Sequence, residues 1–432
     1  MTPFAIGLSG IGLMLVLLFL RQPVWLALAA IGVVGNLILN SLSSAKFLAG
    51  TAMFDVVSNY DLSVIPLFIL MGEIATRSRM SAELFHAARV LLSGLRGGLG
   101  IATLTASGAF GAICGSSVAT AASMTRIALP QMDAAGYDRG YSAATVASGG
   151  SLGILIPPSI ILVIYASITE TSVARLFAAS MIPGLVLLGL YIIVALIIAN
   201  RGSAAPVERP ASFRDRLRAL REPWQFILLF VLTIGGIYAG IFSPTEAASV
   251  GAFGAIVLGM ARGSLDVAGL IRAVQTSVLV SCSLLMIIVG ATLFSNFVVQ
   301  TRLPGNLLGL AEAAGLSAWT VMMLIIAIYI VLGCFLEGIG MVLITVPVFL
   351  PVVVSFGYDP IWFGVFVVVL VELGLITPPV GMNLFIIRAQ APDVPMKTLY
   401  GAILPFLIAP VVLIALLFAV PGLALWLPGL LY

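Results

Sequence analysis

The sequence predicts an all-α polytopic membrane protein made of two inverted-topology repeats, each with five spans, one of them broken, and a re-entrant helical hairpin. Three observations predict it. Hydrophobic residues make up 61% of the 432-residue chain and charged residues only 9%, against roughly 25% charged in soluble domains. Motifs also recur at a constant interval. Leu129-Pro130 returns as Leu350-Pro351, Gly136-Tyr137-Asp138 as Gly357-Tyr358-Asp359, Gly153 as Gly374, and Pro157-Pro158 as Pro378-Pro379, each pair 221 residues apart, and Pro23 falls on Pro244 at the same interval. The third observation is the uneven placement of arginine and lysine between successive spans.

Apolar runs of about 20 residues cross the ~30 Å hydrocarbon layer. Full spans are read at about 4–20, 24–41, 61–76, 141–167 (interrupted) and 177–199, then at 225–242, 246–261, 276–297, 360–387 (interrupted) and 402–420. The first has no basic residue before it and Arg21 directly after it, so it reads as a span with an external N-terminus, not a cleaved signal. Two further apolar stretches, at 98–132 and 316–354, are uncharged apart from Arg126 and Glu337. Charge bias cannot separate a hairpin that crosses from one that dips halfway. The re-entrant reading is preferred because Gly115, Ser116 and Ser117 sit mid-run, where a pair of full spans would place a solvent loop. Arms of about 15 residues, at ~1.5 Å per residue, reach only partway across.

The chain therefore divides into a first repeat (1–199), a basic linker (200–224) and a second repeat (225–432). Lysine and arginine favour cytoplasmic loops. Arg21, Arg77, Arg79, Arg89, Arg96, Arg126, Arg139, the linker arginines, Arg262, Arg272, Arg388 and Lys397 fall on one side, and Lys46, Arg175 and Arg302 on the other. The linker is thus cytoplasmic and both termini are external, and an odd number of spans per half inverts the second repeat. Leu84, Phe85, Ala88, Leu91, Leu92 and Leu95 form a helical stripe opposite Glu83, His86, Arg89 and Arg96, which suits a helix in the headgroup plane. Phe213, Leu217 and Leu220 among arginines read the same way. Trp25, Trp224, Trp362 and Trp426 stand near span ends, where aromatic belts form.

Several function classes are excluded. Cys114, Cys282 and Cys334 lie in apolar sequence without paired metal spacing, so neither a disulfide framework nor a zinc site is implied. His86 is the single histidine, and no nucleophile and base stand together, which argues against an enzyme. A scattered net charge of +3 gives no footprint for nucleic acid.

The broken spans carry the chemistry. Proline donates no backbone hydrogen bond, so Pro157 and Pro158 release the carbonyls of Gly153 and Ile154, and Pro378 and Pro379 those of Gly374 and Leu375. Such oxygens suit a hard cation, and half-helix N-termini suit an anionic substrate group. A Pro-Pro pair alone reads equally well as a packing kink. Its repetition beside a glycine-rich hairpin favours a site between the halves, near the midplane. One Na⁺ site is expected at Gly115, Ser117, Ser151, Gly153 and Pro157, and a second at Glu337, Gly374, Thr377, Pro378, Gly381 and Met382. Substrate contacts are expected from Ser116, Ser117, Thr120, Glu337, Gly338 and Asn383. Glu337 replaces Ser116 at the second tip, and Glu372 lies in the following span; a functional and a structural carboxylate are both compatible with either position. Glu73 is expected to pair with Arg77, and the hydroxyls of Thr120 and Ser123 with carbonyls of their own helix.

These residues resemble a known family, the large membrane subunit (DctM-type large permease) of the tripartite ATP-independent periplasmic (TRAP) transporters. The resemblance runs through Met71-Gly-Glu-Ile, Phe110-Gly-Ala-Ile-Cys-Gly-Ser-Ser-Val-Ala-Thr-Ala, Gly149-Gly-Ser-Leu-Gly-Ile-Leu-Ile-Pro-Pro-Ser, Gly236-Ile-Tyr, Ser243-Pro-Thr-Glu-Ala-Ala and Thr377-Pro-Pro-Val-Gly-Met-Asn. It implies a secondary transporter of the ion-transporter superfamily with elevator-like architecture, Na⁺ as coupling ion and no other cofactor. It also implies a soluble periplasmic substrate-binding protein and a small four-helix membrane subunit, here expected as a separate chain because this one begins at the first large-subunit span. Organic anions such as C4-dicarboxylates, sialic acid, other sugar acids and keto acids are the implied substrates, and membrane lipids the surroundings. The alternative is a self-sufficient ion-coupled carboxylate symporter without a binding protein.

Overall fold

The computed structural model describes residues 2–201 and 205–432. Helices run through it from end to end, and among the described residues there is no strand, only an isolated bridge between Arg96 and Val207.

Local chemistry sets the helix starts identically in the two halves. The second arm of the first hairpin begins at Ser117 and that of the second at Gly338; the broken spans begin at Arg139 and Pro360. Both pairs are 221 residues apart. Before each broken span the chain turns through the same hydrogen bonds. Tyr137 N donates to Met132 O and Gly136 N to Asp133 O, as Tyr358 N does to Val353 O and Gly357 N to Val354 O. Gly136 at φ +79° and Gly357 at φ +87° supply the left-handed step that lets a helix end this way. Asp138 then caps Tyr141 N, and Asp359 caps Ile361 N and Trp362 N, each cap contributing ~1 kcal/mol.

By length and composition, five helices among the described residues are able to cross a membrane, or up to seven if two bent pairs each count as one span. Val173–Arg201, Pro244–Ala261, Val267–Gln300, Gly338–Ser355 and Met396–Ala419 are the five. The sequence reading differs from this in several places: Pro3–Phe19 and Val24–Leu39, expected as full spans, are among the shorter apolar helices, and Gly338–Ser355, expected as a hairpin arm, is long enough to cross. Leu42–Ser58, expected as no element, is a helix that joins Tyr60–Arg77 at a 57° bend; its Lys46 and Asp55 interrupt the apolar run that marks a span. The third span of the second half extends well past 276–297 to Val267–Gln300. The chain after 300 forms a further short helix, Leu303–Ala313, and after 420 another, Gly422–Leu431. The hairpin arms are 17 and 18 residues in the first and 16 and 18 in the second, longer than expected.

The helix Met80–Leu92 is present, with Leu84, Phe85 and Ala88 buried, but its polar face meets protein instead of headgroups. His86 Nδ1 lies 2.6 Å from Glu222, Arg89 donates to Glu208 and Gln131, and Arg216 donates to Ser93 O. The linker clasps this helix. By contrast Phe213, Leu217 and Leu220 stay exposed, as a membrane-surface segment requires. Trp362 is not in an aromatic belt: it is buried and its indole N–H donates to Leu417 O at 3.1 Å.

The most enclosed elements are the broken spans. Gly140 to Ala166 is buried without interruption, as is Trp362 to Ile376. Non-helical backbone at membrane depth survives only inside protein, since each unpaired peptide group in hydrocarbon costs several kcal/mol. Exposed aliphatics such as Leu185, Ile193, Val278 and Leu279 lie on the outer helices.

Candidate functional site

The first hairpin turns at Gly115, where φ of +64° ends one arm, and at Ser116, whose hydroxyl caps the next arm by accepting from Ala119 N at 3.4 Å. The tip lies inside the protein, as a re-entrant hairpin demands. It rests on the first broken span, between Ser151 and the helix Ile160–Thr169. Gly115 O accepts from Ile160 N at 3.5 Å. A Cβ at Gly115 would stand 2.9 Å from Pro158 O, and one at Gly111 would stand 2.5 Å from Gly153 Cα. Only glycine allows this approach of one backbone to another.

The second hairpin repeats the arrangement with different side chains. A Cβ at Gly333 would stand 2.8 Å from Gly374 Cα, and Cys334 Sγ lies 3.6 Å from Pro378 O. Sequence reasoning missed Cys334; its only signal was adjacency to the tip. Glu337 is half-buried and its side chain makes no hydrogen bond or ion pair among the described residues. A Cβ at Gly338 would meet Val371 of the second broken span at 2.6 Å and Ile161 of the first at 3.2 Å.

The two expected sites are interlocked. Each broken span packs its first half on its own hairpin and its second half on the second arm of the other: Met382–Gln390 lies against Ser117–Ala134, and Ile160–Thr169 against Gly338–Ser355. Asn383 ties the second broken span to the first beside this crossing, its Nδ2 donating to Ala147 O at 3.2 Å. Ser116, Ser117, Thr120, Gly153 and Asn383 thereby fall in one region. Glu337, Gly338, Thr377 and Pro378 fall on the second hairpin and the break facing it.

Several expected ligands are already engaged. Ser151 faces away from the tip: its hydroxyl donates to Ser148 O and lies 3.2 Å from the Tyr191 hydroxyl. Its oxygen lone pairs and its backbone carbonyl are the groups it has left for an ion. The released Ile154 carbonyl accepts from Ser159 Oγ at 2.5 Å, and the Gly374 carbonyl from Thr377 N at 3.2 Å; the local chain recovers two of the four freed oxygens. Thr120 donates to Ser116 O and Thr377 to Leu373 O. A hydroxyl that donates to a carbonyl keeps its own lone pairs for a cation, so both remain competent ligands. Gly381, at φ +59°, and the half-exposed Met382 begin the second half-helix. Glu73 pairs with Arg77 at 3.4 Å, as the sequence suggested.

Buried oxygens without partners mark the surrounding space. Asn383 Oδ1, Ser107 Oγ, Ser148 Oγ and both carboxylate oxygens of Glu372 make no hydrogen bond. Ser107 is packed on Gly149, one residue from Ser148. Buried polar groups are nearly always satisfied, so this all-oxygen set has unspent acceptor capacity of the kind a hard monovalent cation uses.

The profile of the family described as "Tripartite ATP-independent periplasmic transporter, DctM component" matches residues 11–423. The chain is similar to a C4-dicarboxylate TRAP transporter large permease of Pseudomonas aeruginosa, 36% identical over 91% of this chain and 92% of that protein. It is 30% identical to a sialic acid TRAP transporter large permease of Vibrio cholerae, over 96% of both chains. It is 33% identical to an ectoine/5-hydroxyectoine large permease of Ruegeria pomeroyi, over 86% of this chain and 87% of that one. The fold resembles the crystal structure of the Alcanivorax borkumensis YdaH transporter, with a TM-score of 0.62 at 17% identity, covering 89% of this chain and 90% of that one.

Proposed function

The chain belongs to the DctM component family of the tripartite ATP-independent periplasmic transporters, and from that premise we propose that it is the permease for Na⁺-driven uptake of an organic acid across a bacterial inner membrane. In this reading a periplasmic binding protein delivers the substrate, and a small four-helix membrane subunit completes the transporter. The observation that carries it is the docking of each hairpin tip on a broken span, with unpartnered Asn383 Oδ1 beside the crossing. Oxygens from the tips and breaks bind Na⁺, and the half-helix N-termini at Ser117 and Met382 bind the substrate carboxylate. The hairpins and broken spans move as one block because they interlock, and the outer helices hold the membrane. Relatives named for C4-dicarboxylate, sialic acid and ectoine share a carboxylate, which defines the substrate class proposed here. Reconstituted in vesicles with its partners, the protein takes up such an acid only down a Na⁺ gradient. Ser117→Leu and Thr377→Val each abolish that uptake while the protein remains folded; undiminished uptake in both variants overturns the assignment.

A further inference from the structure

Beside the first hairpin lies a crevice of about 550 Å³ that the proposed ion and substrate site does not use. Its walls bring Arg77, Arg79 and Arg126 together with a single carboxylate, Glu73, and with the hydroxyls of Ser123 and Thr276. Arg77 is engaged, paired with Glu73 at 3.4 Å and donating to Thr276 at 3.4 Å. The side chains of Arg79 and Arg126 make no hydrogen bond or ion pair among the described residues. Two guanidinium groups thus face one space with nothing to neutralise them, a geometry suited to bidentate carboxylate binding. The volume suits a small ligand.

The crevice and the hairpin tip share one helix, Ser117–Ala134. Ser116, Ser123 and Ile127 recur at i, i+7 and i+11 on one side of the second arm, with Arg126 at the edge of that side. From Ser116 to Arg126 is about 15 Å along the helix. The other wall is equally close to the tip: Gly72, next to Glu73, would place a Cβ 3.0 Å from Cys114 Cα. Ile127 and Ala82 are the apolar lining residues, which leaves little surface for an acyl chain.

We infer that this crevice is a second binding station for a carboxylate-bearing organic anion, through which the substrate leaves the hairpin tip toward the linker side. The inference rests on the reading of the chain as an organic-acid carrier. Arg79 and Arg126 hold the carboxylate, and Ser123 hands it on.

The test uses Ala82→Cys in the full chain in membranes, with labelling of residue 82 followed by peptide mass spectrometry. An anionic sulfonate methanethiosulfonate reacts faster there than its cationic analogue, by roughly fourfold for two uncompensated charges about 8 Å away. The preference disappears in the Arg79→Gln/Arg126→Gln background, and millimolar succinate or N-acetylneuraminate slows labelling in the parent but not in that background. Equal reactivity of the two reagents, or protection by neither acid, overturns the inference. So does a preference that emerges only after lipid is stripped away, which would mean that a lipid headgroup fills the crevice. Na⁺-driven uptake measured on the same membranes separates the two readings: uptake without protection refutes the station alone, and protection without uptake refutes the carrier.

Discussion

Gly111→Ala adds one methyl group where the first hairpin arm meets the first broken span. That carbon would stand 2.5 Å from Gly153 Cα and 3.0 Å from Gly153 N. Carbon atoms pack at about 3.5–4.0 Å, so the arm must retreat by roughly 1 Å. The obstruction is backbone on an element buried from Gly140 to Ala166, so no side-chain rotation relieves it. Overpacking of this kind costs about 1–3 kcal/mol. Where that energy opposes docking of the tip, it weakens cation binding by roughly 5- to 150-fold. Gly108→Ala is the control, since its Cβ would first meet Ile156 Cδ1 at 3.4 Å, the mobile end of a side chain. The assay is the Na⁺ dependence of uptake in proteoliposomes, with thermal stability of the purified protein measured in parallel. Gly111→Ala raises the half-saturating Na⁺ concentration by that factor and Gly108→Ala leaves it unchanged. If both variants match the parent, the tip does not depend on the glycine contact and the argument fails.

Asn383→Ala removes the Nδ2 bond to Ala147 O, a link between the two broken spans; the melting midpoint falls by the equivalent of about 0.5–1.5 kcal/mol, while Asn383→Asp, which keeps the shape but not the donor, falls comparably. Glu372→Met replaces a fully buried carboxylate that has no partner with an apolar chain of similar volume. Stability rises by about 1 kcal/mol or more, and loss of uptake in the same variant shows that the carboxylate is retained for function; unchanged stability refutes the premise that it is unpaired.

Much of this architecture could be read from the residues because backbone chemistry announces itself. Glycine at 136 and 357, proline at 157 and 378, and capping aspartates at 138 and 359 act locally, so their repetition placed the broken spans at about 141 and 360, against observed starts at Arg139 and Pro360. Elements without such marks escaped. Leu42–Ser58 carries Lys46 and Asp55 and never presents an uninterrupted apolar run, and Leu303–Ala313 is too short to stand out. At the site, the tips and breaks were legible, but side-chain direction was not. Nothing local says that Ser151 turns toward Tyr191, 40 residues on, or that Ser159 reaches back to Ile154. The crossing of each broken span to the other hairpin is a tertiary choice, set by which surfaces the small residues leave accessible. Asn383, polar at the buried start of its half-helix, is a sequence trace of the neighbouring contact between the two broken spans.

One asymmetry between the halves bears on how the bilayer itself acts on the protein. The bent pair Leu42–Ser58 and Tyr60–Arg77 has its counterpart, at the 221-residue interval, in the single helix Val267–Gln300. Thirty-four residues span about 51 Å, and the uncharged stretch between Arg272 and Arg302 alone exceeds the ~30 Å hydrocarbon thickness by more than 10 Å. A continuous helix of that length accommodates the mismatch by tilting or by locally thickening the bilayer, whereas the bent pair already changes direction by 57° at its break and accommodates its own by changing that angle. A thicker or thinner membrane therefore tilts one side of the frame and flexes the other, so lipid chain length becomes a variable that loads the two hairpins unequally.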